Sequence, residues 1–285
     1  MIWFPLALSA ALCWAVGGVL VKRGFAAVPP LWNNIANNAL AIVLWIPVIL
    51  VLSRFRVEVP PIRILLIILA ASALFQFFYY SLSRGQVSLT GTVIAIYPMI
   101  TILLSHLFLG ERLFPLQYLS VALILAGSIA VAFPNKRQIL HTNGLSWLPW
   151  GLAGALCLGT GDFLCKFSIN RIGSYSHIFF LSLVAMGLSG ANYVIDKPNR
   201  ALPRVFARSF LPSLFGIVLH LVGELCFFLA FDYGPVSLIS PVSSVYPALL
   251  ALLAIKFLKD RVSVIQGIGI GIITGGLIVL GFSGF

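Results

Sequence analysis

Ten continuous apolar runs follow one another along the chain, and they restrict the fold more than any other feature. A helix needs about 20 mostly apolar residues to cross a bilayer, and each run is close to that length. Only 9% of the 285 residues are charged, against about 25% in a typical soluble domain. The sequence therefore predicts an all-α membrane protein with ten transmembrane helices. The predicted spans are Phe4–Lys22, Leu31–Leu52, Ile62–Ser83, Val87–Leu109, Leu116–Phe133, Leu148–Ile169, Ser174–Ile195, Phe210–Phe231, Val236–Leu258 and Val264–Phe282.

The connections between the runs are short, which excludes several classes of protein. The longest, residues 134–147, could not bury a core of its own, so we expect no extramembrane catalytic domain. The net charge of +11 is scattered over these connections, and no nucleic-acid partner is expected. The 4 cysteines fall inside predicted spans, and neither a cofactor nor a metal is predicted. We expect a monomer whose partners are the lipid bilayer and a small-molecule substrate, in the bacterial inner (cell) membrane.

The chain repeats itself. Residues 85–133 align without gaps on 234–282, and residues 3–22 align on 147–166. The matches are not only apolar. They include Tyr97-Pro98 with Tyr246-Pro247, Arg112 with Arg261, Gln117 with Gln266, Trp3 with Trp147, and Lys22 with Lys166. The predicted halves are residues 1–137 and 145–285. Because five spans is an odd number, the second half would enter the membrane from the opposite side, which makes an inverted repeat. Secondary transporters commonly have this arrangement, with the substrate site at the repeat interface.

A motif in the first half resembles the EamA-type signature of the drug/metabolite transporter superfamily. It consists of a proline within the fourth span, then Leu109-Gly110-Glu111-Arg112, then Gln117, and Gly127 late in the fifth span. The second half carries Leu258-Lys259-Asp260-Arg261 at the corresponding place. The resemblance covers the whole chain. It implies the ten-helix transporter fold, with the fourth and ninth spans lining a central cavity, and it leaves the substrate open.

The first span departs from a related, smaller branch, the small multidrug exporters. That branch carries a membrane glutamate three residues before a Gly and eight residues before a Lys. Gly17 and Lys22 are present here, but the acidic position is Trp14. The resemblance therefore does not extend to that glutamate, and Trp14 becomes a candidate cavity residue.

Two pairs of ionisable residues lie inside predicted spans, where such groups usually face the bundle interior or a wet cavity. Glu224 and His220 are four residues apart and so share a helix face. We predict Glu224 to be the main ionisable group of a central cavity, able to bind a proton or a substrate amine; the alternative is a structural hydrogen bond. Asp162 and Lys166 form the second pair, either an ion pair or a site for a zwitterion. A lysine near a helix end can instead extend to the interface.

Further polar groups lie on the second and third spans. Gln76, Tyr79 and Tyr80 share one face of the third span, which predicts a helix turned toward a cavity. In the second span, Asn37 belongs to an asparagine cluster that either binds substrate or joins neighbouring helices. Pro98 and Pro247 follow Tyr97 and Tyr246 at mid-span, and Pro241 adds a break in the ninth span. Proline removes a backbone hydrogen bond, so we expect kinks and take both tyrosines as candidate cavity residues.

Small residues recur at every fourth position in the fifth and tenth spans. Such stripes let backbones approach closely. The stripes predict that these two spans pack outside the transport path, through Gly267, Gly271, Gly275, Ala122, Ala126 and Ala130.

The functional prediction is a secondary transporter for a small polar or amphipathic organic solute, such as an amino acid or a similar metabolite. It would work by alternating access and be driven by a proton gradient or by exchange. The cavity is expected between the halves, lined by the first, third, fourth, sixth, eighth and ninth spans. No enzymatic activity is predicted, because the chain has neither clustered acids nor a phosphate-binding loop. The alternatives are a multidrug exporter of the same fold and a membrane scaffold that transports nothing.

Overall fold

The computed structural model describes residues 2–21, 29–84, 93–132, 147–200, 211–249, 252–253 and 263–283. All regular secondary structure in these ranges is helical. The helices are α1 (Trp3–Val21), α2 (Pro30–Leu52), α3 (Ile62–Arg84), α4 (Tyr97–Leu104), α5 (Pro115–Ala132), α6 (Trp147–Ile195), α7 (Leu211–Ala230), α8 (Val236–Ser243) and α9 (Val264–Phe282), with a π-helical segment at Ser105–Leu109 and a 3-10 turn at Lys197–Asn199.

The long helix α6 contains two of the predicted spans. Gly173 interrupts it with φ 73° and ψ 161°, a backbone conformation that is almost restricted to glycine. We call the part before this break α6a (residues 147–172) and the part after it α6b (residues 174–195). The segments Pro30–Leu52, Pro115–Ala132, Leu148–Ile195 and Val264–Phe282 are long and apolar enough to cross a membrane.

The repeated Tyr-Pro pairs mark breaks at equivalent places in the two halves. Residues 95–96 form a turn before α4, and residues 244–245 form a turn after α8. In each case the helix resumes at the tyrosine. Proline has no backbone N–H and its ring clashes with the carbonyl group one turn earlier, but it is tolerated in the first turn of a helix, which explains why each helix breaks before the Tyr-Pro pair and restarts at it. The predicted kinks at Pro98 and Pro247 thus occur as helix restarts, while Pro241 lies inside α8.

Two helix pairs bring the halves together. In the first pair, α1 packs on α7 so closely that a Cβ atom on Gly17 would lie 2.8 Å from the carbonyl oxygen of Gly216. In the second pair, α3 packs on α6, where a Cβ atom on Gly161 would lie 2.6 Å from the ring of Phe75. Gly17 and Gly161 are aligned residues of the repeat, so the same small residue permits close approach in both pairs.

The helices α5 and α9 pack on each other through reciprocal contacts. A Cβ atom on Gly127 would lie 2.7 Å from the Gly269 carbonyl oxygen and from Ile273 Cγ1, and one on Gly276 would lie 2.9 Å from Ile124 Cγ1. Gly127 aligns with Gly276, and Ile124 aligns with Ile273. A self-complementary contact of this kind is what a two-fold axis produces.

The prediction that Gly267, Gly271 and Gly275 form the packing face of α9 is wrong. Open space surrounds Gly267, Gly271 and Gly275, and Ala122 and Ala126 are exposed. The contact uses Gly269 and Gly276 instead, on a different face of α9. The period of four was correctly read as a small-residue face, but that face is turned away from α5.

Candidate transport cavity

A cavity of about 370 Å³ lies among the helices that join the two halves. Its walls come from α1, α2, α3, α6a, α6b and α7, together with residues 94–97 and 244–247. The volume falls within the range of about 300–1,000 Å³ that is typical of small-molecule sites. Most predicted site residues lie in its wall: Trp14, Asn37, Gln76, Tyr97, Asp162, His220, Glu224, Tyr246 and Pro247.

Glu224 faces this cavity beside His220. The distance between His220 Nε2 and Glu224 Oε1 is 3.4 Å, and the two side chains are 23% (Glu224) and 41% (His220) exposed. Their spacing of four residues along α7 produces this contact. Trp14 lies across from them, donating from its indole Nε1 to the His220 carbonyl oxygen at 3.2 Å.

The Trp14 ring is the centre of an aromatic group at this side of the cavity. Its centroid lies 5.4 Å from that of Phe227 and 6.1 Å from that of Tyr246. Aromatic pairs at 4.5–7 Å interact favourably, so the rings hold one another in place. The acidic position of the small multidrug exporters is thus occupied by an aromatic wall next to Glu224.

Asp162 is a second carboxylate in the cavity wall. It lies on α6a, is 5% exposed and accepts a hydrogen bond from Ser240 Oγ at 3.1 Å. Glu224 and the phenol of Tyr97 lie in the same cavity wall, within electrostatic reach of Asp162. Because Ser240 is neutral, its hydroxyl does not compensate the charge of Asp162.

An amide network forms the part of the wall that α2, α3 and α6b build. Gln76 Nε2 donates to the Ala185 carbonyl oxygen at 2.7 Å, and Gln76 Oε1 accepts from Asn192 Nδ2 at 2.6 Å. Asn38 Nδ2 donates to Ser189 Oγ at 2.8 Å. These amides therefore join α2, α3 and α6b, as the structural interpretation of the asparagines expected.

Two further polar residues, Ser72 and Asn37, line the same wall. The buried hydroxyl of Ser72 makes no hydrogen bond to any residue that the structure describes. Asn37, which is 9% exposed, also lines the cavity. Asn37 is therefore the more accessible of the two to a solute.

Several predicted site residues lie away from the cavity. Lys166 does not pair with Asp162; its Nζ donates to the carbonyl oxygens of Phe231 and Gly234 at 2.5 and 2.8 Å. Tyr80 donates to Asp196 Oδ2 at 2.7 Å near the end of α6b. Neither side chain lines the cavity.

Three more of the predicted residues are not among the described residues that line the cavity. Pro98 and Pro241 shape their helices from outside the cavity wall. The side chain of Tyr79 falls outside the part of the chain that the structure describes. No position in the cavity can therefore be assigned to any of the three.

Lys166 belongs to a polar cluster that fixes the connection between α7 and α8. Glu111 Oε1 accepts from the Val236 backbone N–H at 3.1 Å, and its Oε2 accepts from the Ser237 N–H and Oγ at 2.9 and 2.6 Å. These are the free N–H groups at the start of α8. Asp232 accepts from the Ser174 backbone and hydroxyl. The cluster stabilises the start of α8, the helix that leads to the cavity-lining residues 244–247.

Similar contacts give structural roles to Gly110, Glu111 and Gln117 of the first-half motif, whereas residues 258–261 at the corresponding place in the second half lie outside the described residues. Gly110 has a left-handed φ of 68° at the end of the π-helical segment, and the chain reversal directs Glu111 toward α8. Gln117 Oε1 accepts from the Phe114 N–H at 3.0 Å. Gln266 does the same for Ser263 at 3.1 Å, within a capping box at the start of α9. The motif residues therefore shape helix ends.

The sequence interpretation included Asn37 of the second span but missed Trp45 on the same helix and the seventh span, which lines the cavity through Leu181, Ser182 and Ala185. Trp45 lines it and donates from Nε1 to the Leu221 carbonyl oxygen at 3.0 Å. Asn34, Asn38, Ala41 and Trp45 all face it. Their spacing of four, three and four residues is that of one helix face, and this signal could have extended the asparagine cluster to Trp45. Within the described ranges, no three His, Cys, Asp or Glu side chains could hold a metal ion.

Comparisons with known proteins agree with this architecture. The chain matches the model of the EamA-like transporter family over residues 1–133 and again over 145–282. It is 26% identical to an uncharacterized transporter of Archaeoglobus fulgidus, over 98% of both chains. A 71-residue segment, 25% of this chain and 52% of the relative, is 37% identical to an uncharacterized protein of Methanocaldococcus jannaschii.

A solved crystal structure superposes with a TM-score of 0.79 at 19% identity, over 98% of this chain and 96% of the other. At that identity the likeness shows the fold alone. The family model, by contrast, accounts for nearly the whole sequence in two consecutive matches. This multi-pass integral membrane protein belongs to the EamA-like transporter family.

Proposed function

We propose that this protein is a secondary transporter that carries a small polar or amphipathic organic solute across the cell membrane by alternating access. Its ten spans would form two inverted five-helix repeats, residues 1–137 and 145–285. The observation that carries the proposal is the cavity between the halves, in which two carboxylates and an amide face lie within otherwise apolar helices. Polar groups are costly inside a membrane and typically mark a solute pathway.

The reciprocal packing supports the inverted arrangement. Contacts between α5 and α9 are self-complementary, and aligned glycines serve the α1–α7 and α3–α6 pairs. One half can then move relative to the other about a fixed site, which is how repeat transporters change access. We propose the monomer as the functional unit.

Glu224 is the group we propose for coupling solute or proton binding to this movement. A carboxylate removed from water is destabilised unless it is neutralised. Binding of a proton or an amine to Glu224 would therefore favour the conformation in which this carboxyl group is most buried. A ligand can shift the equilibrium between two conformations only if its affinity for them differs in this way.

The experiment begins with a thermal-shift screen of purified protein against amino acids, amines, sugars and nucleosides, since a ligand of the native state raises its melting temperature. Each hit is then tested for counterflow in liposomes that contain the wild type, Glu224→Gln, or Glu58→Gln as an exposed control. We expect the wild type and Glu58→Gln to move the solute, and Glu224→Gln to lose most transport or its pH dependence. Protein that binds a solute without moving it would support the scaffold alternative, and a folded Glu224→Gln variant with unchanged transport would exclude the coupling role.

A further inference from the structure

We propose that the cavity selects organic cations, specifically amines attached to an apolar or aromatic body, over zwitterions and anions. This inference rests on the proposed function, because it names the substrate class of the same cavity. It comes from the balance of charges in the cavity wall.

The described wall of the cavity carries two acids and no lysine or arginine. Asp162 and Glu224 both face the cavity. The positive group that could have bound a substrate carboxylate, Lys166, instead donates to two carbonyl oxygens of the α7–α8 connection. A zwitterion placed here would find partners for its ammonium group and none of opposite charge for its carboxylate.

The histidine does not reverse this balance. His220 lies 3.4 Å from Glu224, so even when charged it compensates that one carboxylate. Asp162 is left with Ser240 as its hydrogen-bond partner. A buried carboxylate is unfavourable unless a proton or a positive partner neutralises it, and a bound ammonium group would be such a partner. An anion would find no lysine or arginine in the described wall and would lie beside two acidic side chains.

The rings next to the carboxylates point to the rest of the solute. Trp14, Phe227 and Tyr246 form an aromatic wall. The Trp14 ring centroid lies 5.8 Å from that of His220, which contacts Glu224. Aromatic faces attract cations and bury apolar groups. Elsewhere in the wall, the amide oxygen of Asn37 can accept a hydrogen bond from an ammonium group. A small inorganic ion would use neither the aromatic wall nor a space of about 370 Å³.

A matched series of ligands with one phenyl ring tests the inference. The probes are 2-phenylethylamine as the cation, L-phenylalanine as the zwitterion and 3-phenylpropionate as the anion, with sodium chloride as the inorganic cation. Dissociation constants are measured on purified wild-type protein at constant ionic strength. We expect the amine to bind at least tenfold more tightly than either carboxylate compound, and sodium to produce no comparable stabilisation. Equal or tighter binding of the zwitterion or the anion would overturn the inference, and so would equal stabilisation by sodium.

Variants separate the roles of the charged residues. We expect Asp162→Asn and Glu224→Gln each to weaken amine binding at least tenfold, and Glu58→Gln to leave it unchanged. Lys166→Gln retains a hydrogen-bond donor for the α7–α8 connection and should not change the preference for the amine. If Lys166 bound a substrate carboxylate, this variant would instead weaken L-phenylalanine binding selectively, which would contradict the inference.

The outcome is distinguishable from failure of the proposed function. Tight, carboxylate-dependent binding of the amine without counterflow in liposomes would leave the cation site standing and remove transport. Counterflow of zwitterions or anions without a preference for the amine would leave transport standing and remove the cation site.

Discussion

Replacing Glu111 with alanine should destabilise the protein by freeing the start of α8. The carboxylate accepts hydrogen bonds from the backbone N–H groups of Val236 and Ser237, and a third from the Ser237 hydroxyl. Each N–H loses a net contribution of roughly 0.5–1 kcal/mol. The lost charge at the helix N-terminus adds about 0.5 kcal/mol. The expected decrease in the free energy of unfolding is about 2 kcal/mol.

The measurement is the melting temperature of detergent-purified protein, followed by tryptophan fluorescence at one scan rate. For chains larger than about 150 residues, each kcal/mol corresponds to roughly 2–4 °C, so Glu111→Ala should melt about 4–8 °C lower. Glu111→Gln keeps one acceptor oxygen but loses the charge, and should fall about halfway between the wild type and Glu111→Ala.

Glu58→Ala is the matched control, because Glu58 is exposed and its side chain makes no contact in the cluster around α8. Surface substitutions of this kind change stability by no more than about 0.5 kcal/mol, which predicts a change of less than about 2 °C. If Glu111→Ala and Glu58→Ala melt at the same temperature, the contacts at the start of α8 do not stabilise the protein and the reasoning is refuted.

Three further predictions concern packing and backbone geometry. Gly127→Ala places a methyl group 2.7 Å from the Gly269 carbonyl oxygen and should lower the free energy of unfolding by about 1–3 kcal/mol. Gly271→Ala enters open space and should be neutral or stabilising by up to about 1 kcal/mol. Melting curves of the two variants check this, and equal melting temperatures would contradict the observed α5–α9 contact. Gly173→Ala forces a side chain into a backbone conformation with φ 73° and should lower stability by about 1–3 kcal/mol in the same assay, while a comparable loss in a control substitution within the helical part of α6b would argue against a special role for that break. Gln76→Leu leaves the donor of Asn192 without its partner, so chemical denaturation should show a loss of about 1–3 kcal/mol; an unchanged midpoint would mean that the amide network does not hold α3 against α6b.

Sequence alone was sufficient for the features that depend on local pattern. Length and hydropathy of the runs predict helices that cross a membrane, because a bilayer requires about 20 apolar residues for each span. The contact between His220 and Glu224 follows from a spacing of four residues on one helix. The breaks next to Tyr97 and Tyr246 follow from the missing backbone N–H and the ring of the proline after each tyrosine. The family signature can also be identified from the sequence alone, because it consists of particular residues at fixed spacing.

Other expectations failed because the spacing of residues along a helix shows which of them share a face, but does not show which helix that face contacts. Asp162 and Lys166 are also four residues apart, yet Asp162 contacts Ser240 while Lys166 reaches the carbonyl oxygens of Phe231 and Gly234. The connection after α7 offers backbone acceptors, and the flexible lysine side chain extends to them. In the same way, the regular glycine stripe of α9 is turned away from α5.

Sequence by itself therefore determined that this chain is a duplicated, all-helical membrane protein of the EamA-like transporter family, and it identified Glu224, Asp162, Gln76 and Trp14 as polar or aromatic residues of interest. Only the tertiary structure decided that these residues meet in one cavity from which Lys166 is absent. The physical reason is that each helix hydrogen-bonds within itself, so its sequence fixes its own geometry. The rotation of a helix against its neighbours depends on side chains that are far away in the sequence.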